Sequence, residues 1–244
     1  LSWSLWALLK ARRNMKVAIL GCAPSARMAP FYDDSFQIWG TGTTGQRYPR
    51  FDRWFQIHDM DKLTRGYRKL TTEQMTELMD WHSKFKGPVY MQKVAPGIPG
   101  SVVYPFDEMI EKFGRNFRAT ASWMLALAIT EILASGDEEK EIGIYGVDMA
   151  SEGEYQEQRP SVRFFEGWAR GAGIKVTVTA SSSLSKCRFL YGLEDEAEAA
   201  LQEYEDICSV RHQKAVQAQA AAEREASELS GALSVLKLIR EDRL

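Results

Sequence analysis

Along this chain, short runs of apolar, β-branched residues alternate with longer stretches whose apolar positions recur every three or four residues. Lys16–Leu20 (KVAIL) reads as a buried strand leaving through the tight turn Gly21-Cys22-Ala23-Pro24-Ser25. Phe36–Trp39 (FQIW) is a second strand, followed by the loose Gly40–Gly45 stretch, and Arg53–Ile57 (RWFQI) is a third, closing on His58 and Asp59. Thr71–Phe85 has helical spacing, with Met75, Leu78, Met79 and His82 on one side, and Val89–Met91 is again a short strand. Between Val94 and Tyr104 the breakers Pro96, Gly97, Pro99 and Gly100 predict a mobile loop without regular structure, near the site.

Thr120–Leu133 is apolar nearly all round, as a helix packed on a sheet must be. Glu141–Val147 (EIGIYGV) is a buried strand ending at Asp148. Ser161–Arg170 is a helix stopped by Gly171 and Gly173, and Ile174–Val178 is the last strand. This alternation predicts an α/β, Rossmann-like domain whose mainly parallel sheet is flanked by helices. Beyond Gly192 the pattern changes. Residues Leu193–Leu244 contain no proline and are rich in Ala, Glu, Gln and Arg. Apolar residues fall near heptad positions at Leu201, Tyr204, Cys208, Ala215, Ala218, Ala222, Leu229, Ala232, Leu236 and Ile239. Arg211 and Glu225 interrupt that seam and its middle is alanine. A single long helix would therefore bury little, so a coiled coil and a homo-oligomer through this helix are expected. The alternative is a helix lying back on its own domain. The expected organisation is an N-terminal extension over residues 1–14, a Rossmann-like nucleotide-binding domain over 15–190 and a long C-terminal helix or coiled coil over 191–244.

The 244 residues carry a formal charge of −2, so no global field is available to hold a nucleic-acid backbone or an anionic membrane. Three cysteines, Cys22, Cys187 and Cys208, are spread without a C-x-x-C pair, which argues against a disulfide framework or structural zinc and for a reducing cytoplasm. The opening LSWSLWALL is about half the length that spans a bilayer, and its basic residues follow rather than precede it, unlike a signal peptide. No transmembrane segment is expected.

In a parallel sheet, ligands gather at the carboxyl ends of the strands. Those ends are Gly21–Ser25, Gly40-Thr41-Gly42, His58-Asp59 and Gly146-Val147-Asp148. In the first, Gly21 permits close backbone approach, Pro24 and Ser25 open the next segment, and free amides would face a phosphate. The competing reading is a tight βα turn without a ligand. His58 is either a proton-transfer group or ribose or phosphate ligand, or a strand-end histidine tied to backbone. Asp148 either accepts ribose hydroxyls or ties down the loop after it. There is no D-x-D, no H-E-x-x-H, no Walker A lysine and no G-x-G-x-x-G after the first strand.

The turn Gly21–Ser25, the helix beginning Thr120-Ala-Ser-Trp-Met-Leu-Ala, and Ile144-Tyr-Gly-Val-Asp148 followed by Tyr155 together resemble the bacterial α-2,3/2,8-sialyltransferases of the GT42 type. They also resemble the related DUF115 group, which includes an archaeal pterin pyrophosphokinase. Phage proteins share the look through Ile38–Gly40, Arg53–His58 and Tyr155–Pro160. The resemblance covers about Met15 to Lys186. It implies a nucleotide held by Gly21, Pro24, Ser25, Thr41, Thr120 and Asp148, and leaving-group assistance by Tyr155 and Arg159, with His58 as base or sugar ligand. It also implies no metal and no cofactor beyond a nucleotide or nucleotide-sugar donor. The chain departs from the family pattern at Cys22, Trp39–Gly42, Ala150 and Gln158–Pro160. The expected function is a phage or prophage transferase with a nucleotide-activated donor, glycosyltransferase-like and metal-independent. The alternatives are a non-catalytic interaction protein assembled through its C-terminal coiled coil, and a pyrophosphokinase-like enzyme.

Overall fold

The structure is a computed structural model that describes residues 15–42, 47–63, 70–149, 154–180, 182–184, 192 and 196–241; for residues 61, 62, 154–156, 196–200, 238, 239 and 241 it describes backbone alone. The expected N-terminal extension over residues 1–14 and the position of Ala150 lie outside the described residues. The chain divides into two compact units, Leu1–Lys186 and Cys187–Leu244.

The first unit is built on seven strands: β1 (Lys16–Leu20), β2 (Phe36–Thr41), β3 (Arg53–Gln56), β4 (Val89–Met91), β5 (Ser101–Val103), β6 (Glu141–Tyr145) and β7 (Lys175–Val178). They form one sheet in the order β5-β4-β3-β2-β1-β6-β7, and every pairing is parallel. The helices are α1 (Met60–Leu63), α2 (Thr72–Lys84), α3 (Phe106–Phe113), α4 (Thr120–Ala134) and α5 (Glu154–Gly171). From β1 the chain steps outward through β2, β3, β4 and β5, then crosses back to the other flank of β1 as β6 and continues to β7. The direction of winding therefore reverses between β1 and β6, and the fold is α/β and Rossmann-like.

Strand residues alternate between two covered faces, which is why β1 and β6 read as nearly continuous apolar runs. Val17 and Ile19, with Trp39, Phe55, Ile142, Ile144 and Val176, share one core with α4, α5 and α3. Ala18, Leu20, Phe36 and Ile38 face the other way, onto Ala26, Ala29 and Phe31 of the segment after β1. Farther along that second face, Trp54, Val89, Met91 and Ile98 pack with Met79, Trp81 and Phe85 of α2 and its exit. Two caps start the helices cleanly. Thr71 Oγ1 accepts from Gln74 N while Gln74 Oε1 accepts from Thr71 N, at 3.2 and 3.0 Å, and Ser122 Oγ accepts from Ala119 N at 3.1 Å.

Arg53 heads β3 beneath α4. Its guanidinium donates to Glu131 at 2.6 Å and to the Tyr90 hydroxyl at 3.1 Å, and lies 4.5 Å from the Trp39 ring centroid. This arginine clamps the sheet to its main helix, with its planar fork satisfied on both sides.

Three expectations are corrected. The span from Val94 to Tyr104 is not irregular throughout: Ser101–Val103 pairs with β4 as the edge strand β5, because the breakers end at Gly100 and β-branched Val102 and Val103 come next. The preceding turn is anchored, with Ile98 buried against Trp54 and Ser101 Oγ bonded to Ala95 N at 3.0 Å. The helix expected at Ser161–Arg170 begins at Glu154 and carries Pro160 on its exposed side inside it, and the amphipathic helix Phe106–Phe113 was unforeseen.

The second unit contains α6 (Glu196–Glu241), a single 46-residue helix. Among the described residues no helix is long and apolar enough to cross a membrane.

His82, on α2, is wholly buried among Trp54, Trp81 and Phe85. Its Nδ1 bonds the Leu78 carbonyl at 2.6 Å while Nε2 has no partner. Burial pushes its pKa below the ordinary 6.5 against the smaller pull of that bond. The unfolded chain therefore takes up a proton below about pH 6.5 that the folded chain refuses, and stability falls as pH falls through that window, by at most about 1.4 kcal/mol per pH unit. Thermal unfolding between pH 7.5 and 5.5 is expected to show this slope in the native chain and a flatter one in His82→Gln. Equal slopes would remove His82 from the account.

Candidate functional site

The reversal point brings the exits of β1 and β6 together, and their backbones touch. Gly21 N donates to Tyr145 O at 2.8 Å and Ala23 N to Gly146 O at 3.0 Å. A Cβ on Gly21 would lie 2.3 Å from Gly146 O, so only glycine allows this approach. Gly146 has φ of +67° and would meet Ala26 Cβ at 2.7 Å, which requires glycine twice over. The residues after the turn form a short 3₁₀ segment, Pro24–Met28, with proline in its first turn.

Ser25 links the same two exits. Its hydroxyl donates to Asp148 Oδ1 at 2.7 Å and accepts from Gly146 N at 2.9 Å, and the residue is buried. The expectation of free amides at this turn is thereby corrected. The amides of Gly21 and Ala23 cannot cradle a phosphate, because the neighbouring strand exit already uses them. Asp148 is drawn into the loop tie through one oxygen while remaining half-buried at the strand end. The next residue, Met149, holds a left-handed φ of +43°, unusual for a side chain of its size.

The other site residues line up along the same carboxyl edge. Thr41 ends β2, where its Oγ1 donates to Phe55 O at 2.7 Å across to β3, and Cys22 Sγ lies 3.9 Å from Thr41 O. His58 lies just past β3, two strand spacings or about 10 Å from β1. It is exposed, and no hydrogen bond ties it among the described residues. Because α4 and α5 lead back to β6 and β7, they run against the strands and their first turns also lie at the carboxyl edge. Thr120 is the first residue of α4 and Arg159 is half-buried in α5. These helices pack together, and the connecting loop is tied across them: Ser161 Oγ donates to Asn116 O and accepts from Arg118 N at 3.1 Å, and Arg118 pairs with Glu157. Tyr155 belongs to the first turn of α5, but its side chain lies outside the described residues.

Sequence reading missed the exit of β7. Ser182 Oγ donates to Val147 O at 2.8 Å, Ser183 Oγ donates to Asp148 O, and the Thr179 hydroxyl is buried without a partner. A polar Thr-Ala-Ser-Ser-Ser run directly after a strand was the available signal. Three consecutive exits, from β1, β6 and β7, are thereby laced into one polar edge. A separate cleft of about 400 Å³ lies between α2 and Gly97, lined by Met75, Met79 and Asp80, and contains none of these residues. Among the described residues no group of three His, Cys, Asp or Glu side chains is placed to hold a metal ion.

Ser25→Ala would leave the Gly146 amide buried without an acceptor, and is expected to cost about 1–3 kcal/mol in denaturant unfolding. Gly21→Ala is expected to cost more, since β6 must move to admit the methyl group. A Gly21→Ala chain as stable as the native one would show that the two exits do not depend on this contact.

Compared with known proteins, the chain matches no family model, no curated protein and no solved structure.

Proposed function

We propose that the first unit binds a nucleotide at the carboxyl edge of β1 and β6, and serves as a glycosyltransferase-like, metal-independent transferase with a nucleotide-activated donor. The observation that carries this reading is the winding reversal between β1 and β6, where open parallel sheets form a crevice, with the Asp148 carboxylate at its rim. In this reading the remaining lone pairs of Asp148 accept ribose hydroxyls, while Ser25 holds the carboxylate in place rather than touching the ligand. The phosphate falls to the first turn of α4, where Thr120 adds its hydroxyl to the free amides of a helix start. Arg159 and Tyr155, from the adjoining helix, supply a positive charge and a hydroxyl to the departing phosphate. His58, exposed and untied, is the base or a sugar ligand.

Titration calorimetry of CMP, UDP, GDP and ATP in the presence of EDTA tests the reading. One of them is expected to bind below millimolar concentration. Asp148→Asn, which keeps the acceptor for Ser25, is expected to weaken that binding about tenfold or more without loss of the fold. Absence of binding by all four at millimolar concentration would overturn it.

A second reading has its own observation. The turn after β1 is closed by its hydrogen bonds to β6, and the long helix α6 is largely exposed, as in an interaction protein built on a nucleotide-binding fold. It predicts that deleting Leu193–Leu244 abolishes self-association and biological effect, while Ser25→Ala and His58→Ala leave the effect unchanged.

A further inference from the structure

Helix α6 extends about 69 Å, and its large apolar residues lie open: Leu201, Leu229 and Leu236 are 72%, 59% and 61% exposed. A row of apolar side chains along so long a helix calls for a facing surface. With a positions at 201, 208, 215, 222, 229 and 236, the d positions fall at 204, 211, 218, 225 and 232. The seam has an apolar stretch at each end, alanine at Ala215, Ala218 and Ala222 between them, and one charge on each side of the middle, Arg211 and Glu225. Among the described residues, neither charge has an ion-pair partner within the chain.

We propose that α6 is one half of an antiparallel two-stranded coiled coil formed with a second copy of this chain, in the register that sets Ala218 against Ala222 of the second copy. The charges decide the direction. A parallel, in-register pair would bury Arg211 against Arg211 and Glu225 against Glu225, two like-charged layers in one seam. It would also set the flanking Lys214 beside Gln219 and Glu228 beside Leu233, with no complementary pair at the rim.

Turned antiparallel, the same sequence agrees at every level. Tyr204 meets Leu236 of the second copy, and Cys208 meets Ala232. The Arg211 stem lies on Leu229 of the second copy, with its guanidinium one layer, about 6 Å along the axis, from Glu225. At the flanks, Lys214 meets Glu228 of the second copy and Ile207 meets Val235. Two-fold symmetry repeats each contact, so four ion pairs and two apolar flanking pairs arise from one register. Shifting by one heptad places Cys208 against Glu225, or pairs Lys214 with Val235, and loses the match.

Cys208 gives the direct test. In the antiparallel register it lies about 36 Å from Cys208 of the second copy but opposite Ala232. The full chain carrying Cys22→Ser and Cys187→Ser is oxidised with diamide and run on a non-reducing gel, with and without Ala232→Cys. The expected result is a covalent dimer only with Ala232→Cys. Sedimentation velocity of the uncross-linked chain is expected to give a dimer. Arg211→Glu should raise its dissociation constant about tenfold or more, and Arg211→Glu with Glu225→Arg should restore it to within about threefold. A monomer in solution, a Cys208–Cys208 dimer without Ala232→Cys, no cross-link with Ala232→Cys, or no rescue by the paired charge reversal would each overturn the proposal.

Discussion

The close contact between the exits of β1 and β6 is the constraint on which the first unit depends. Two strands separated by most of the domain's sequence meet backbone to backbone because Gly21 and Gly146 both lack a side chain there. Once they meet, their amides and carbonyls are satisfied by one another, and Ser25 finds its acceptor on Asp148. The glycine that looked suited to admitting a ligand instead admits another strand. What remains for a ligand is the rim: a half-buried carboxylate and the starts of two neighbouring helices.

The fold was legible because its signals are redundant. Each buried strand is short, apolar and closed by small residues, and α4 announces itself by being apolar on every side, so the parallel sheet emerged from pattern alone. The errors came where a tertiary partner outweighed local chemistry. Three residues after Gly100 make a strand only because β4 offers an edge, and Pro160 is carried inside a helix whose neighbours α4 and β7 hold it in place.

The candidate site was less legible for a related reason. Residue type told that Ser25 and Asp148 matter, but not that they matter to each other, since a hydroxyl bonds equally well to a phosphate or to a carboxylate across the sheet. Arg53 shows the same ambiguity from the other side. It sits in an Arg-Trp-Phe-x-Ile-His string that reads as functional, yet its guanidinium is consumed by Glu131, Tyr90 and Trp39 at the opposite edge of the sheet. His58, at the end of the same string, is left open.

The segment after β1 does two jobs within a few residues. Ser25 fixes the polar edge, while Ala26, Ala29 and Phe31 roof the small core made by Ala18, Leu20, Phe36 and Ile38. The turn cannot bend toward a ligand without lifting that roof and wetting the underside of the two central strands. Recognition at this edge therefore has to work by fit to a preset shape. Adaptability, where the chemistry demands it, has to come from groups anchored elsewhere, such as the untethered imidazole two strands away.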